Sequence, residues 1–129
     1  MTPQRHPKEV VRIGALYIAL TVMLTVYGQL AFKWRIDLVR ASGFDSVVGA
    51  ILKLAVDPWI ISVVVATGLA SITWGAALTK MELSYAYPFM ALTFALVLGF
   101  SVALFGESLT AGKVIGLVLI GIGLVVTSL

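Results

Sequence analysis

Two polar residues, Gln29 and Lys33, lie one helical turn apart at the end of the first long apolar run, in Tyr27-Gly28-Gln29-Leu30-Ala31-Phe32-Lys33-Trp34. A carboxamide offers two donors and an acceptor, and an ammonium offers donors only. At membrane depth such groups are costly and usually face a bundle interior or a wet cavity. Tyr17, Thr21 and Thr25 precede them at four-residue spacing, so one slowly drifting helical face carries all five. A threonine hydroxyl can bond back to a carbonyl one turn earlier. Gln29 has more polar atoms than one such bond satisfies. The segment around Gln29 and Lys33 is therefore where a polar or charged group would be handled.

The elements that position these residues follow from composition. The chain has 129 residues, 60% hydrophobic and only 12% charged, with mean hydropathy +1.08. A soluble domain is about 25% charged. No Asp, Glu, Lys or Arg occurs in 13–32, 58–79, 83–106 or 114–129. A spanning helix needs roughly 20 apolar residues, with about 17 as a lower limit. The first three runs qualify, and the fourth reaches far enough if Lys113 snorkels. The expectation is an all-α membrane protein with four transmembrane helices at about 10–32, 58–79, 84–105 and 111–128. A polar tail over 1–9 precedes a single transmembrane domain over 10–129. No soluble domain remains, and no apolar segment carries the small-residue cleavage site of a signal peptide.

The connection 34–57 is the longest. Within it Val47, Val48, Ile51, Leu52 and Ala55 fit a helical stripe. This predicts a short amphipathic helix over 46–56 lying at the membrane interface. Asp57-Pro58-Trp59 then supplies an N-cap acid, a proline at the first helical position and an interfacial aromatic. The short turn Lys80-Met81-Glu82 makes the second and third spans an antiparallel hairpin. The third span carries Ser84, Pro88, Ala91, Ala95, Gly99 and Ala103 on one stripe, with Pro88 placed to kink it. In the fourth, Gly112 and Gly116 form a Gly-x-x-x-Gly pair followed by Gly121 and Gly123, a packing face for another helix. Four helices make a thin bundle, and a translocation cavity is easier to build between two protomers.

Other chemistry lacks its residues. With no cysteine and with His6 as the one histidine, no metal or cofactor site is expected. No phosphate-binding glycine motif occurs, and no nucleophile–base set supports an enzyme. No nucleic-acid partner is expected, since there is no basic face on a soluble element. With the N-terminus inside, Arg5, Lys8, Arg12 and Lys80 face Lys33, Arg35, Arg40, Lys53 and Lys113 across the membrane, four against five. The positive-inside rule then fixes no orientation. Dual insertion as an antiparallel homodimer, or a fixed orientation beside an oppositely oriented partner, both fit.

Several local patterns coincide with a known family. Gly28-Gln29-Leu30-x-x-Lys33-Trp34 resembles small four-helix members of the drug/metabolite transporter superfamily, most of all the ArnE/ArnF-type subunits that flip aminoarabinose-phosphoundecaprenol across the bacterial inner membrane. Ser84-Tyr85-Ala86-Tyr87-Pro88 is similar to the opening of the third helix in that group. Phe105-Gly106-Glu107, followed by Gly116-Leu117-Val118-Leu119-Ile120-x-x-Gly123, resembles the last hairpin shared with small multidrug resistance transporters. The resemblance covers nearly all of 13–129. It implies a multi-pass protein of the bacterial cytoplasmic membrane.

The departures bear on substrate. Small multidrug resistance pumps carry a glutamate in the first helix, eight residues before the terminal lysine; here that position is Thr25, and Met90 replaces an aromatic of the third helix. Without a buried carboxylate a lipophilic cation has no counter-charge. A polyprenyl phosphate reverses the demand. Lys33 can snorkel and pair with phosphate, and Gln29 can bond phosphate or sugar oxygens. The expected function is a flippase subunit for a lipid-linked sugar, acting as a homodimer or as a heterodimer with a similar small transporter. Thr21, Thr25, Gln29 and Lys33 would line the path between the first and third spans, with Tyr85, Tyr87 and Pro88 near one mouth. Glu107 and Glu82 are candidate charge partners, although turn and capping roles also explain them. Gly112, Gly116 and Gly123 would serve helix or dimer packing. Two alternatives are a small multidrug resistance-type exporter of cations, and a non-transporting membrane subunit of a glycosyltransferase or transporter complex.

Overall fold

The computed structural model describes residues 7–43 and 45–129; most of the N-terminal tail, His6 included, lies outside the described residues. Six helices follow in order: α1 (Pro7–Ser42), α2 (Val47–Ala55), α3 (Pro58–Leu78), α4 (Leu83–Met90), α5 (Leu92–Phe105) and α6 (Ala111–Ser128). Three helical stretches are long and apolar enough to cross a membrane: Lys8–Ser42, Pro58–Leu78 and the α4–α5 stretch Leu83–Phe105. The fourth expected span is a shorter apolar helix, Ala111–Thr127.

α1 departs most from expectation. It begins at Pro7, inside the expected tail, and runs for 36 residues to Ser42 instead of stopping at Phe32. At 1.5 Å per residue it is about 54 Å long, against a hydrocarbon core of about 30 Å. The uncharged run 13–32 matches that core, so the last three turns project beyond it. They stay helical because their charges are paired along and beyond the axis. Lys33 Nζ donates to Asp37 Oδ1 at 3.0 Å, an i, i+4 pair. Arg35 Nε donates to Asp57 Oδ2 at 2.9 Å, and its terminal nitrogen bonds the same oxygen. The expected loop is cut to the short links on either side of α2, and Gly43 turns the chain with φ +79°.

α2 matches the expected short helix. The Ser46 hydroxyl caps it by accepting from the Gly49 amide at 3.1 Å, and none of its residues is buried. Asp57 caps α3 as the sequence predicts, accepting from the Trp59 amide at 2.8 Å with Pro58 next in line. Trp34 and Trp59 meet edge to face at 5.3 Å, and the Arg35 guanidinium lies 5.2 Å from the Trp34 ring centre. This end of the molecule is thus an aromatic belt closed by an ion pair.

The expected third span is two helices. Pro88 lacks the amide that would close its own turn, and three residues later the Ala91 amide bonds the Pro88 carbonyl at 3.2 Å instead of the one a full α-turn back. The α-helical bonding pattern is interrupted at Ala91, whose backbone stays right-handed, and resumes as α5. Gly106 ends α5 in the left-handed region, φ +63°, with its amide on the Ser101 carbonyl.

α1 packs along α3 over most of its length, and against α4 and α5; α4 also touches α5 and α6. Ile18, Val22 and Val26 form one stripe of α1, buried with Ala77 and Ala86 against Trp74, Met81 and Leu96. Ala66, Ala70 and Ala77 keep the facing side of α3 thin. α6 stands at the margin: it meets the rest chiefly through α4 and buries none of its described side chains.

The Arg35–Asp57 pair ties the end of α1 to the start of α3. Burial acts to raise the Asp57 pKa, but the Arg35 guanidinium and the Trp59 and Ile60 amides outweigh it and hold the carboxyl below its ordinary value of 3.8. Its contribution to stability is therefore complete above that value and is lost as pH falls through the lowered one. In detergent, Arg35→Ala and Asp57→Ala are expected to lower the thermal midpoint, Asp57→Asn less so because it keeps the cap acceptor. Acidification below pH 3.8 should lower the wild-type midpoint more than that of Asp57→Asn.

Candidate functional site

The polar face of α1 lies against α3, and its hydroxyls are bonded in two ways. Thr21 Oγ1 donates to the Tyr17 carbonyl at 2.8 Å, and Thr25 Oγ1 to the Thr21 carbonyl at 2.7 Å. These are the back-bonds to the preceding turn. Thr21, only 2% exposed, also meets Thr73 Oγ1 of α3 at 2.7 Å. Thr73 in turn reaches the Ala70 carbonyl at 3.0 Å. Two hydroxyl protons thus serve three contacts, one of which joins the helices.

Beside this junction runs an open groove of about 420 Å³, bounded by Thr21 and Thr25 of α1, Thr67, Ser71 and Trp74 of α3, Tyr87 and Met90 of α4, and Thr93 of α5. It continues into a second recess of about 270 Å³ bounded by Gly28, Gln29, Phe32 and Val63. Thr25, Thr67 and Ala70 line both. No ionised side chain lines either part. Gly28 leaves the wall thin here, since a Cβ would stand 3.8 Å from Val63 Cγ1 and 3.9 Å from Thr67 Oγ1. Gln29 is exposed and bonds no described side chain or backbone group. Trp74 and Tyr87 close the far wall edge to face at 5.8 Å.

Of the residues singled out from the sequence, Thr21, Thr25, Gln29 and Tyr87 therefore share this groove. Lys33 lines neither part; its ammonium is held by Asp37. Tyr85, Pro88 and Glu82 line a separate cavity of about 600 Å³ between α4 and the end of α6, where Tyr85 meets Phe89 edge to face at 5.5 Å. Glu107, Gly112 and Gly116 line a third, between α5 and α6. Nothing lies within 4 Å of where a Cβ would stand on Gly116 or Gly123. In the larger part the wall facing α1 is shared, Thr67, Ala70, Ser71 and Trp74 coming from the second span and Tyr87, Met90, Thr93 and Phe94 from the third; in the smaller part it comes from the second alone. Thr67, Ser71 and Trp74 carry a readable signal, i, i+4 and i+7 on one helix.

No protein-family model matches the chain, and no solved structure matches it significantly. Curated relatives do match. One is the "Probable 4-amino-4-deoxy-L-arabinose-phosphoundecaprenol flippase subunit ArnF" of Aeromonas salmonicida, 30% identical over 119 residues, spanning 90% of this chain and 79% of the relative. The protein of that name from Pseudomonas fluorescens is 31% identical over 118 residues, 88% of this chain and 86% of the relative. The corresponding ArnE subunit of Pseudomonas aeruginosa is 31% identical over 116 residues, 88% and 95%. The chain belongs to the ArnE/ArnF family. It stands as near to the ArnE relative as to the ArnF relatives. The family membership agrees with the resemblance carried by Gly28-Gln29 and Ala86-Tyr87-Pro88, and the relatives are named as flippase subunits.

The Thr21–Thr73 junction is the buried polar link across the α1–α3 seam of this ArnE/ArnF-family chain; an exposed one, Tyr27 hydroxyl to Ser62 Oγ at 2.8 Å, lies further along it. Interhelical hydrogen bonds in membranes are worth about 0.6 kcal/mol on average. A double-mutant cycle of Thr21→Val and Thr73→Val, read by unfolding in mixed micelles, should give a coupling of about that size. Coupling near zero would show that the back-bonds satisfy both hydroxyls alone.

Proposed function

We propose that this chain is a subunit of a flippase that moves a polyprenyl-phosphate-linked sugar across the bacterial cytoplasmic membrane. The observation that carries this reading is the uncharged, hydroxyl-lined groove between α1 and α3 with Gln29 at its end. A sugar headgroup needs hydrogen-bonding partners in place of water, and the groove's serine, threonine and tyrosine side chains with the Gln29 carboxamide are placed to supply them. A lipophilic cation needs a carboxylate, and none lines the groove. The long prenyl tail stays in the lipid while the headgroup follows the groove.

Lys33 would act at the mouth. It sits one turn beyond Gln29, and its pair with Asp37 is solvent-facing, with side-chain exposures of 41% and 39%. Exposed pairs are worth about 0–1 kcal/mol, so a phosphodiester monoanion can take the ammonium from Asp37 at small cost. In this reading Tyr87 shapes the groove, and Tyr85 and Pro88 face the neighbouring cavity at the opposite end.

The same reading makes α6 a fourth membrane crossing and part of a dimer interface. Its apolar helical stretch Ala111–Thr127 spans about 26 Å, and Lys113 near its start can reach the headgroups. The open space over Gly116 and Gly123 suits close approach by another helix. The relatives are named as subunits, which supports a second, similar chain as that partner.

The test is transport in proteoliposomes of a labelled polyprenyl-phosphate pentose, with the chain alone and with a second family subunit. Gln29→Leu and Lys33→Ala should each slow translocation at least tenfold in protein that reconstitutes normally. Full translocation by Lys33→Ala would remove that residue from the mechanism. No translocation by wild type in either arrangement would leave the non-transporting subunit, and uptake of quaternary ammonium compounds would establish the cation exporter instead.

A further inference from the structure

The cavity between α4 and the end of α6 differs from the groove in one respect: a carboxylate lines it. Glu82 precedes α4, and Ser84, Tyr85 and Phe89 of that helix border the same open space of about 600 Å³ with Leu124 and Thr127 of α6. Glu82 stands at the N-cap position, yet its side chain makes no cap bond, and it forms no ion pair with Lys80 two residues away. Among the described residues nothing bonds the side-chain oxygens of Glu82, Ser84 or Tyr85. All three residues are exposed, so an occupant can reach them. Tyr85 and Phe89 add two exposed rings, edge to face at 5.5 Å.

These groups select one class of ligand. A calcium-like cation takes six or more oxygens, and the described residues hold no cluster of metal-binding side chains. An anion meets Glu82 with like charge. An alkyl chain would strip water from that carboxylate and return nothing. An organic ammonium suits every lining group: its charge pairs with Glu82, its N–H groups donate to hydroxyl oxygens, and aromatic ring faces attract it. A primary ammonium is favoured over a quaternary one, because a quaternary nitrogen has no N–H to offer Ser84 and Tyr85. The volume lies within the range of small-molecule sites.

The depth of the site indicates where the amine comes from. Glu82 stands just before the uncharged run 83–106, at the edge of the hydrocarbon, while Phe89 and Leu124 lie inside apolar runs. A lipid headgroup, with its chains beside α4 and α6, fits that gradient. Gly14 near the start of α1 lies against the side chains of Lys80 and Met81. Lys33 is nineteen residues further along α1, about 28 Å, so Glu82 and Lys33 mark opposite membrane faces. We propose that Glu82, Ser84 and Tyr85, with Phe89, bind the primary ammonium of a lipid headgroup at this face. Two sources carry that chemistry, an amine-bearing lipid-linked sugar and an ethanolamine phospholipid. At the membrane edge Glu82 cannot escort a cation across, so the site neither needs the flippase reading nor weakens it.

The test is binding to the full-length chain in an amine-free detergent. The radiolabelled probes are a short-chain prenyl-phosphate aminopentose, a short-chain phosphatidylethanolamine, and the N-acetylated form of each. Wild type should bind at least one amine about tenfold tighter than its N-acetyl form, and the amine that shows this names the source. Glu82→Gln should abolish that preference and change binding of the N-acetyl forms less than twofold. It should leave the thermal midpoint unchanged, because the side chain caps nothing. Equal binding of amine and amide by wild type, a preference that survives Glu82→Gln, or a quaternary analogue that binds as tightly as the primary amine overturns the site. Translocation of the amine-free prenyl-phosphate pentose reads the flippase separately. Its loss in Glu82→Gln would put Glu82 in the transport path and end the case for a separate site. Its absence in wild type, with amine binding intact, would remove the flippase reading and leave the amine site standing.

Discussion

Everything in this molecule hangs on the seam where α1 lies along α3. Lipid tails are as apolar as leucine, so no hydrophobic force drives two helices together inside a bilayer; close packing and interhelical hydrogen bonds must do it. The seam supplies both. Ala66, Ala70 and Ala77 thin α3, and Gly28 thins α1, so the backbones approach. Thr21 and Thr73 then bond across the contact at 2.7 Å. Beyond the hydrocarbon the Arg35–Asp57 pair and the Trp34–Trp59 contact clamp the same two helices at one end. The groove lies beside this seam, so its walls are set by contacts that no substrate needs to make.

The division of polarity along the axis follows from solvation. Formal charges gather where water and headgroups reach them: Lys33 with Asp37, Arg35 with Asp57, and Lys53 on the Gly43 carbonyl at 3.0 Å. Between the ends, polarity is limited to hydroxyls and one carboxamide. Hydroxyls are affordable at depth because each can bond its own helix when nothing else is present. A groove lined this way is satisfied when empty and still has lone pairs to offer an occupant. Thr93 is the exception: its buried hydroxyl has no hydrogen-bond partner among the described residues.

Much of this was legible from the residues. The four-residue rhythm of Tyr17, Thr21, Thr25 and Gln29 located the polar face, Asp57-Pro58-Trp59 the start of α3, and the 47–55 stripe the helix α2. The end of α1 was misplaced because the charges after Phe32 mark the edge of the hydrocarbon, not the end of a helix. Lys33 and Asp37 at i, i+4 spacing, with Arg35 reaching Asp57, are what carry the helix ten residues further, and the second of these pairs is a long-range contact. Pro88 announced a bend, but not that it would separate two helices at Ala91. The site was half legible. A single helix face can be read from its spacing, whereas the share of the opposite wall taken by α3 depends on which faces pack, which spacing along one helix does not encode.

The position of α6 bears on what one chain can do alone. Exposed leucines and valines on it mean little, since lipid suits them. Glycines facing empty space mean more, because a glycine stripe costs helix propensity and gains nothing from lipid. The gain comes only when another backbone approaches. Within this chain α6 meets α4 and leaves Gly116 and Gly123 uncovered. The groove and the α6 face also lie on different helices, so a partner could settle on one without filling the other. That separation gives the proposed dimer its logic. A second chain would complete the enclosure that four thin helices cannot, while the hydroxyl-lined path between α1 and α3 stays open to a headgroup whose tail remains in the membrane.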